Sequence, residues 1–302
     1  MRVLITGATG LIGGEIVKLC KKREININYL TTSKSKIQKE ENYRGFYWNP
    51  KSGDIDKDCF TNVDAIINLA GATISKRWTP EYKKEILNSR KETTQLLINA
   101  LKGETHTITH VISASAIGVY PDSLTNYYDE DFKNKDESSF LTHVVKVWEH
   151  EVDAFSKLNI QVSKIRIGLV LGKKGGALQE IMKPIKFGLG AAFGNGEQWQ
   201  SWIHINDLAN LFLYVLQHNL SGIYNGVAPN PVSNQELTKT MANVLNKPLF
   251  LPNIPKFFMK FVLGEMHVLL FESQRVSSKK IEDKGFAFKY NYLKPALENL
   301  LE

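Results

Sequence analysis

The stretch RVLITGATGLIGGEIVKL, residues 2–19, restricts what this chain can fold into more than any other. Arg2–Thr6 is a short apolar run of the kind buried on both faces of a parallel sheet. GATGLIG (7–13) follows at once, and helical spacing runs over Leu11–Arg23. A strand that turns through glycines into a helix leaves the first helical N–H groups bare. The positive end of the helix dipole then faces out of the turn. Glycine allows both the tight turn and the close approach of backbone to a pyrophosphate. The motif therefore points to a dinucleotide cradle inside an α/β sheet.

The first half of the chain keeps that alternation. Strands are expected at Asn26–Thr31, Phe46–Trp48, Val63–Leu69, Ile108–Ser113 and Gln161–Leu169. Helices are expected at Pro80–Leu101, with proline at its start, and at Phe140–Ser156. This order specifies a doubly wound parallel sheet of Rossmann type. Beyond residue 170 the pattern loosens. GKKGG (172–176) and GLGAAFGNGEQ (188–198) are too mixed for linkers and read as shaped cleft walls. A helix over Asp207–Gln217, a strand at Gly222–Asn225 and a helix over Asn234–Leu245 follow. The expected division is a Rossmann domain of residues 1–169 plus 202–232. A smaller C-terminal α+β substrate domain takes 170–201 plus 233–302.

Composition narrows the class. Hydrophobic residues at 43% and charged residues at 23% over 302 positions suit a soluble globular protein. Cys20 and Cys59 form no CxxC pair and are expected as reduced thiols. With no basic segment and cleavage site at the start, a cytoplasmic location is expected. The net charge of +7 comes without any nucleic-acid motif, so no nucleic-acid partner is assigned. The most apolar late run, 254–271, is interrupted by Lys256, Lys260, Glu265 and His267. It is too polar to span a bilayer and reads as a core or lid helix, so no membrane partner is assigned either. His106 and His110 lack a third ligand, and no metal is expected.

A carboxylate about 20 residues beyond the glycines would hold the ribose hydroxyl of NAD. Here the second strand ends YLTTSKSK (29–36). Thr32, Ser33, Lys34 and Lys36 stand there, with no carboxylate before Glu40. Hydroxyls and ammoniums suit a 2′-phosphate, which favours NADP(H) over NAD(H).

The spacing G-x-x-G-x-x-G, together with NLAG at 68–71, resembles the extended short-chain dehydrogenase/reductase superfamily. The resemblance implies that Leu69, Ala70 and Gly71 line the cofactor. It also implies a catalytic Tyr-x-x-x-Lys on a helix after a serine-rich strand end. SASAIGVY (113–120) is similar to that strand end, which nominates Ser113, Ser115 and Tyr120 as catalytic. On the following helix, matching Glu149 to the superfamily's glutamate puts Leu141 and Val145 where the tyrosine and lysine would stand.

Longer runs narrow the resemblance. RWTPEYKKEILNSRKETTQLL (77–97), GLVLGKKGGAL (168–178), QWQSWIHINDL (198–208), NGVAPNPVSNQEL (225–237) and the tail LGEM…ESQRV…GFAFKY go together. They resemble an atypical branch of sugar-nucleotide epimerase-like (NAD-dependent epimerase/dehydratase-like) proteins. That branch ends in a domain of unknown function, here about 249–297, and is itself poor in the Tyr/Lys pair. The resemblance implies that Gly7, Thr9, Gly10, Leu11 and Ile12 cradle the pyrophosphate. It implies that Glu85 and Arg90 point toward the cofactor cleft and that Ile167 and Gly168 approach the nicotinamide. The branch usually carries arginine where Thr32 stands, which leaves Lys34 or Lys36 for the 2′-phosphate. Gln198, Trp202 and His204 are expected to face the substrate. The implied function is an NADP(H)-dependent oxidoreductase or epimerase acting on a small molecule such as a nucleotide-sugar. The rival is a cofactor-loaded regulatory or scaffold protein. A homodimer is expected by analogy with extended-family dimers.

Overall fold

In the computed structural model, which describes residues 1–136 and 138–301, the chain is built on a nine-stranded sheet. β1 (Arg2–Thr6) leads through the glycine turn into α1 (Leu11–Lys22) and then into β2 (Asn26–Thr31). β3 (Tyr43–Asn49) and β4 (Ala65–Asn68) follow, then α2 (Pro80–Leu101) and β5 (His110–Ala116). α3 (Phe140–Asp153), β6 (Gln161–Ile167) and β7 (Leu169–Leu171) come next. α4 (Ala177–Lys186) precedes β8 (Trp202–His204), α5 (Ile205–Gln217) and β9 (Gly222–Gly226). α6 (Asn234–Val244), α7 (Lys256–Leu263) and α8 (Leu293–Leu301) lie in the last third.

The sheet order β9-β6-β5-β4-β1-β2-β3 is parallel throughout, with two short strands added antiparallel to β3. This is the Rossmann arrangement. The order reverses on either side of β1, so a crevice opens at the carboxyl ends of β1 and β4. Helices cover both faces because strands buried on both sides need apolar cover twice. α1 buries Gly13, Ile16, Val17 and Cys20, one face at helical spacing. α5 is buried over most of its circumference, leaving one less buried stripe of Asn206, Asn210, Tyr214 and Gln217. α2 starts where Thr79 Oγ1 accepts the Tyr82 N–H at 3.2 Å, with Pro80 as its first residue.

A second core lies beside the sheet. Leu178, Met182, Trp202, Leu237, Met241 and Leu297 are among the residues that pack in it. The chain reaches it by leaving the main sheet at Gly168. Gly168 N donates to the Gly226 carbonyl at 3.1 Å, and Leu169 N already pairs with Ser201 O at 2.8 Å. β7 then runs parallel to β8 in a separate two-stranded sheet. The strand expected through Leu169 is therefore two strands with a crossover between them.

The tail serves both cores. Ile281, Phe286 and Phe288 pack into the sheet's core with α1 and α5, whereas Tyr290, Leu293 and Leu297 pack into the second. Asp207 fixes the switch, its carboxylate accepting from Lys289 N at 3.1 Å and Tyr290 N at 2.9 Å. In the run expected as a core or lid helix, α7 buries no residue and so is not core, whereas Met266, Val268 and Leu269 beyond it pack against Trp78 and Ile86.

Candidate functional site

The crevice begins at the glycine turn. Gly7 has a φ of +71°, which favours glycine, and a Cβ there would sit 3.2 Å from the Leu69 backbone. At Gly13 a Cβ would lie 2.2 Å from the Gly7 carbonyl oxygen, so α1 can pack on the turn only without a side chain. Gly10 caps α1 without any side-chain hydrogen bond. Thr9 and Gly10 are exposed, and Leu11 and Ile12 are half-buried in the first turn. These residues offer outward N–H groups at the positive end of a helix, a fit for a pyrophosphate.

A chain of buried polar groups holds the turn after β4 against the turn after β1. Thr6 Oγ1 donates to Asn68 Oδ1 at 2.8 Å and accepts from Leu69 N at 2.9 Å and Ala70 N at 3.0 Å. Asn68 Nδ2 donates onward to Ser113 Oγ at 3.2 Å, and Ser113 donates to the Ala114 carbonyl at 3.0 Å. The next loop is gripped by α2. Ser89 Oγ accepts from Ala72 N at 2.9 Å, and Arg90 Nη1 donates to Ala72 O at 3.2 Å and Ile86 O at 2.9 Å. The Arg90 guanidinium lies against Gly71 and over the Trp148 ring. Burial pulls its pKa down to about 10, and no carboxylate pairs with it among the described residues. Glu85 is exposed, its carboxylate 3.8 Å from Lys51 just past the carboxyl end of β3, a partner that sequence proximity would not suggest.

β2 ends next to β1, with Leu30 paired to Thr6. Thr32 and Lys34 are exposed just beyond, and Ser33 Oγ contacts Ser35 Oγ at 2.8 Å. Lys34 Nζ stands 5.1 Å over the Tyr47 ring, without a carboxylate partner among the described residues. This group of hydroxyls and an ammonium lies beside the glycine turn, where an adenosine 2′-phosphate would project. Ile167 and Gly168 are half-buried at the far side of the crevice.

The serine-rich strand end is tied into a second polar network. Ser115 Oγ donates to Glu149 Oε1 at 2.6 Å. Glu149 accepts a two-pronged pair from Arg166, at 2.8 Å from Nε and 2.9 Å from Nη2. Arg166 Nη1 donates to Tyr120 Oη at 3.1 Å, and Tyr120 Oη donates to Asn225 Oδ1 at 2.8 Å. Asn225 Nδ2 ends the chain at the Ser277 carbonyl, 2.9 Å away in the tail. Burial would raise the Glu149 carboxyl, but the Arg166 and Ser115 bonds outweigh it and hold it below its ordinary range. Burial dominates at Tyr120 and pushes its phenol up to about 12, Arg166 notwithstanding.

The sequence profile of the NAD dependent epimerase/dehydratase family matches residues 3–226, and that of a domain of unknown function, DUF1731, matches 254–300. The chain belongs to the NAD dependent epimerase/dehydratase family. An epimerase family protein of Staphylococcus aureus (strain MRSA252), SAR0825, is 37% identical over 299 residues, covering 99% of this chain and 98% of that one. The crystal structure of human epimerase family protein SDR39U1 (isoform 2) with NADPH superposes with a TM-score of 0.85 at 29% identity, covering 99% of both chains. A nucleoside-diphosphate sugar epimerase from Corynebacterium glutamicum gives 0.79 at 27% identity, over 99% of this chain and 58% of that one.

Within this epimerase-family chain, the residues expected at the cofactor, Glu85 and Arg90 of α2 excepted, follow strand ends: Gly7 to Ile12 after β1, Thr32 to Lys34 after β2, Leu69 to Gly71 after β4, and Ile167 and Gly168 at the end of β6. The serines and tyrosine expected at the chemistry do not present free hydroxyls. Ser113 is committed to Asn68 and Ala114, Ser115 to Glu149, and Tyr120 is fully buried between Arg166 and Asn225. On α3, Val145 packs with Val119 and Tyr128, and Leu141 lies under Gly118.

The residues expected at the substrate are buried, with their polar atoms bonded within the protein. Gln198 spends its amide on the carbonyls of Phe193 and Leu270, at 3.1 and 2.9 Å. Trp202 is fully buried in the second core, with its indole N–H on Asn230 O at 2.9 Å. His204 caps α5 by accepting the Asn206 N–H at 3.0 Å on Nδ1, stacks on Tyr290 and faces Asn299. Burial drops its pKa to about 4. Aromatic bulk close to a crevice fills the core behind it rather than its mouth.

Sequence reasoning passed over Glu272 and Gln274 of the tail motif. Gln274 Nε2 donates to the Tyr120 carbonyl at 3.4 Å and to Glu272 Oε2 at 3.1 Å, just beyond the serine-rich strand end. Burial, joined by the charge on Asp122, raises the Glu272 carboxyl above its ordinary range. The signal was the acidic start of ESQRV, a run with no assigned task.

Proposed function

We propose that this chain binds NADPH and serves as an oxidoreductase or epimerase for a small molecule, a nucleotide-sugar being the class its relatives suggest. One observation carries the cofactor choice. The end of β2 presents exposed Thr32 and Lys34 beside the bare amides of the glycine turn, with no carboxylate to claim the ribose. The NADPH named with the human relative supports the same choice. Gly7, Thr9, Gly10, Leu11 and Ile12 would hold the pyrophosphate, Lys34 the 2′-phosphate, and Ile167 and Gly168 would border the nicotinamide. Bound NADPH would supply a hydride. Arg90, beside Gly71 and without a paired carboxylate among the described residues, would favour an anionic group in the crevice. Glu272 is the carboxyl we assign to proton transfer, because Gln274 ties it beside the Tyr120 carbonyl at the serine-rich strand end and burial raises it above its ordinary range.

The test is calorimetry with NADPH, NADP⁺ and NADH, then absorbance of the reduced nicotinamide with sugar nucleotides and small carbonyls. Tight NADPH binding with substrate-dependent oxidation, lost in Glu272→Gln, is the expected result. Absence of binding to a folded protein would sink the reading. The alternative, a cofactor-loaded regulator, draws on the committed hydroxyls of Ser113, Ser115 and Tyr120. It is distinguished by tight binding without oxidation for any substrate.

A further inference from the structure

Among the described residues, three exposed phenylalanines stand together on one helix of the tail. Phe257, Phe258 and Phe261 project from α7, Phe261 being 84% exposed. At positions i, i+1 and i+4 they form one outward stripe, bordered by Lys256 and Lys260, four apart. Phe250 precedes the helix at 78% exposure, and Phe187 and Leu189 stand after α4 at 81% and 58%. These segments are stitched together. Ile254 N donates to Ala192 O at 2.8 Å, Gly194 N donates to Ile254 O at 2.9 Å, and Leu249 packs with Ile185 around Gly190.

Lysine predominates in the segments that carry these rings, although Glu180, Glu197, Glu236 and Glu265 flank them. Residues 181–196 and 237–264 contain no aspartate or glutamate, yet they carry Lys183, Lys186, Lys239, Lys247, Lys256 and Lys260. All six lysines are exposed. Lys183 pairs with Glu180 and Lys256 lies over the Phe271 ring. Lys186, Lys247 and Lys260 meet no carboxylate among the described residues.

Exposed aromatics next to unpaired lysines fit one occupant best. Protein interfaces are depleted in lysine, and a twofold contact between copies would set lysine against lysine. A phospholipid surface accepts both. Phenylalanine rings enter the boundary between headgroups and acyl chains while lysine stems reach back to the phosphates. We propose that this face docks the protein on an anionic lipid bilayer, α7 lying in the plane of the surface. The docking is peripheral, since no helix among the described residues is long and apolar enough to cross a membrane. It does not depend on the cofactor or the reaction.

The test is sedimentation of the full chain with vesicles of phosphatidylcholine and phosphatidylglycerol in equal parts, against phosphatidylcholine alone. The expected result is preferential binding to the anionic vesicles that weakens as salt is raised. Phe257→Ser with Phe261→Ser, and separately Lys256→Glu with Lys260→Glu, should each lower partitioning at least about tenfold. Both pairs are exposed, so the melting temperature should hold and report an intact fold. Three results overturn the proposal. One is no sedimentation of the natively folded chain with either vesicle. Another is equal binding to neutral and anionic vesicles that the lysine changes leave untouched. The third is a dimer that the phenylalanine changes dissolve, without vesicle binding, which assigns the face to a second copy.

Discussion

Replacing Tyr120 by Phe separates a structural tyrosine from a catalytic one. The change keeps the ring, its stacking on Tyr128 at 5.2 Å and the position of the Arg166 guanidinium over it. It removes only the hydroxyl. Asn225, fully buried, then loses the donor to its side-chain oxygen, and Arg166 loses the acceptor for Nη1. An orphaned buried acceptor costs about 1–3 kcal/mol, and the lost partner of a charged donor costs a similar amount. Arg166 keeps both bonds to Glu149, so the second cost falls at the low end. The sum is about 3 kcal/mol, or a fall in melting temperature of roughly 5–10 °C for a chain of this size. Urea and thermal unfolding followed by circular dichroism measure it, with NADPH affinity taken by calorimetry on the same samples. The expected outcome is a large stability loss with cofactor affinity unchanged. An unchanged melting temperature together with lost turnover or weakened cofactor binding would refute the reasoning. It would mean that the hydroxyl faces the crevice instead of Asn225.

Other outcomes follow from the same geometry. Lys34→Glu should weaken NADPH about 10–100-fold while leaving NADH nearly unchanged, the worth of a hydrogen bond to a charged group; calorimetry decides, and an equal loss for both cofactors would detach Lys34 from the 2′-phosphate. Gly13→Val should abolish cofactor binding and lower the melting temperature, because a Cβ 2.2 Å from the Gly7 carbonyl oxygen meets backbone that cannot swing aside. His110 and His204 are buried with pKa values pulled from 6.5 to about 4. The unfolded chain therefore takes up their protons first. Their contribution to stability is intact above about pH 6.5 and is lost as pH falls toward 4, at about 1.4 kcal/mol per pH unit for each ring. Glu130 and Asp207, whose carboxyls burial raises, act in the opposite sense. Urea unfolding from pH 7 to 5 checks the slope, and a flat profile would mean that both rings reach water.

Much of this protein was written locally. The glycines after β1 carry their meaning in four or five consecutive residues, since backbone conformation and a helix terminus are short-range properties. The helix from Pro80 to Leu101 and the strand from Asn26 to Thr31 occur where apolar spacing and capping place them. The group Thr32–Lys34 was legible because charge and hydroxyls at a strand end stay exposed whatever packs behind them. Tertiary structure alone decided which polar side chains are spent. Ser115 meets Glu149, Tyr120 meets Asn225, Asp207 meets the backbone at Lys289 and Tyr290, and His204 meets Asn206 and Asn299. Most of those partners lie tens of residues away or more, brought near by sheet register and a tail that returns across both cores. A hydroxyl or imidazole looks the same in a sequence whether it faces solvent or a buried partner. Only burial distinguishes them, because a polar group removed from water must be paired within the protein.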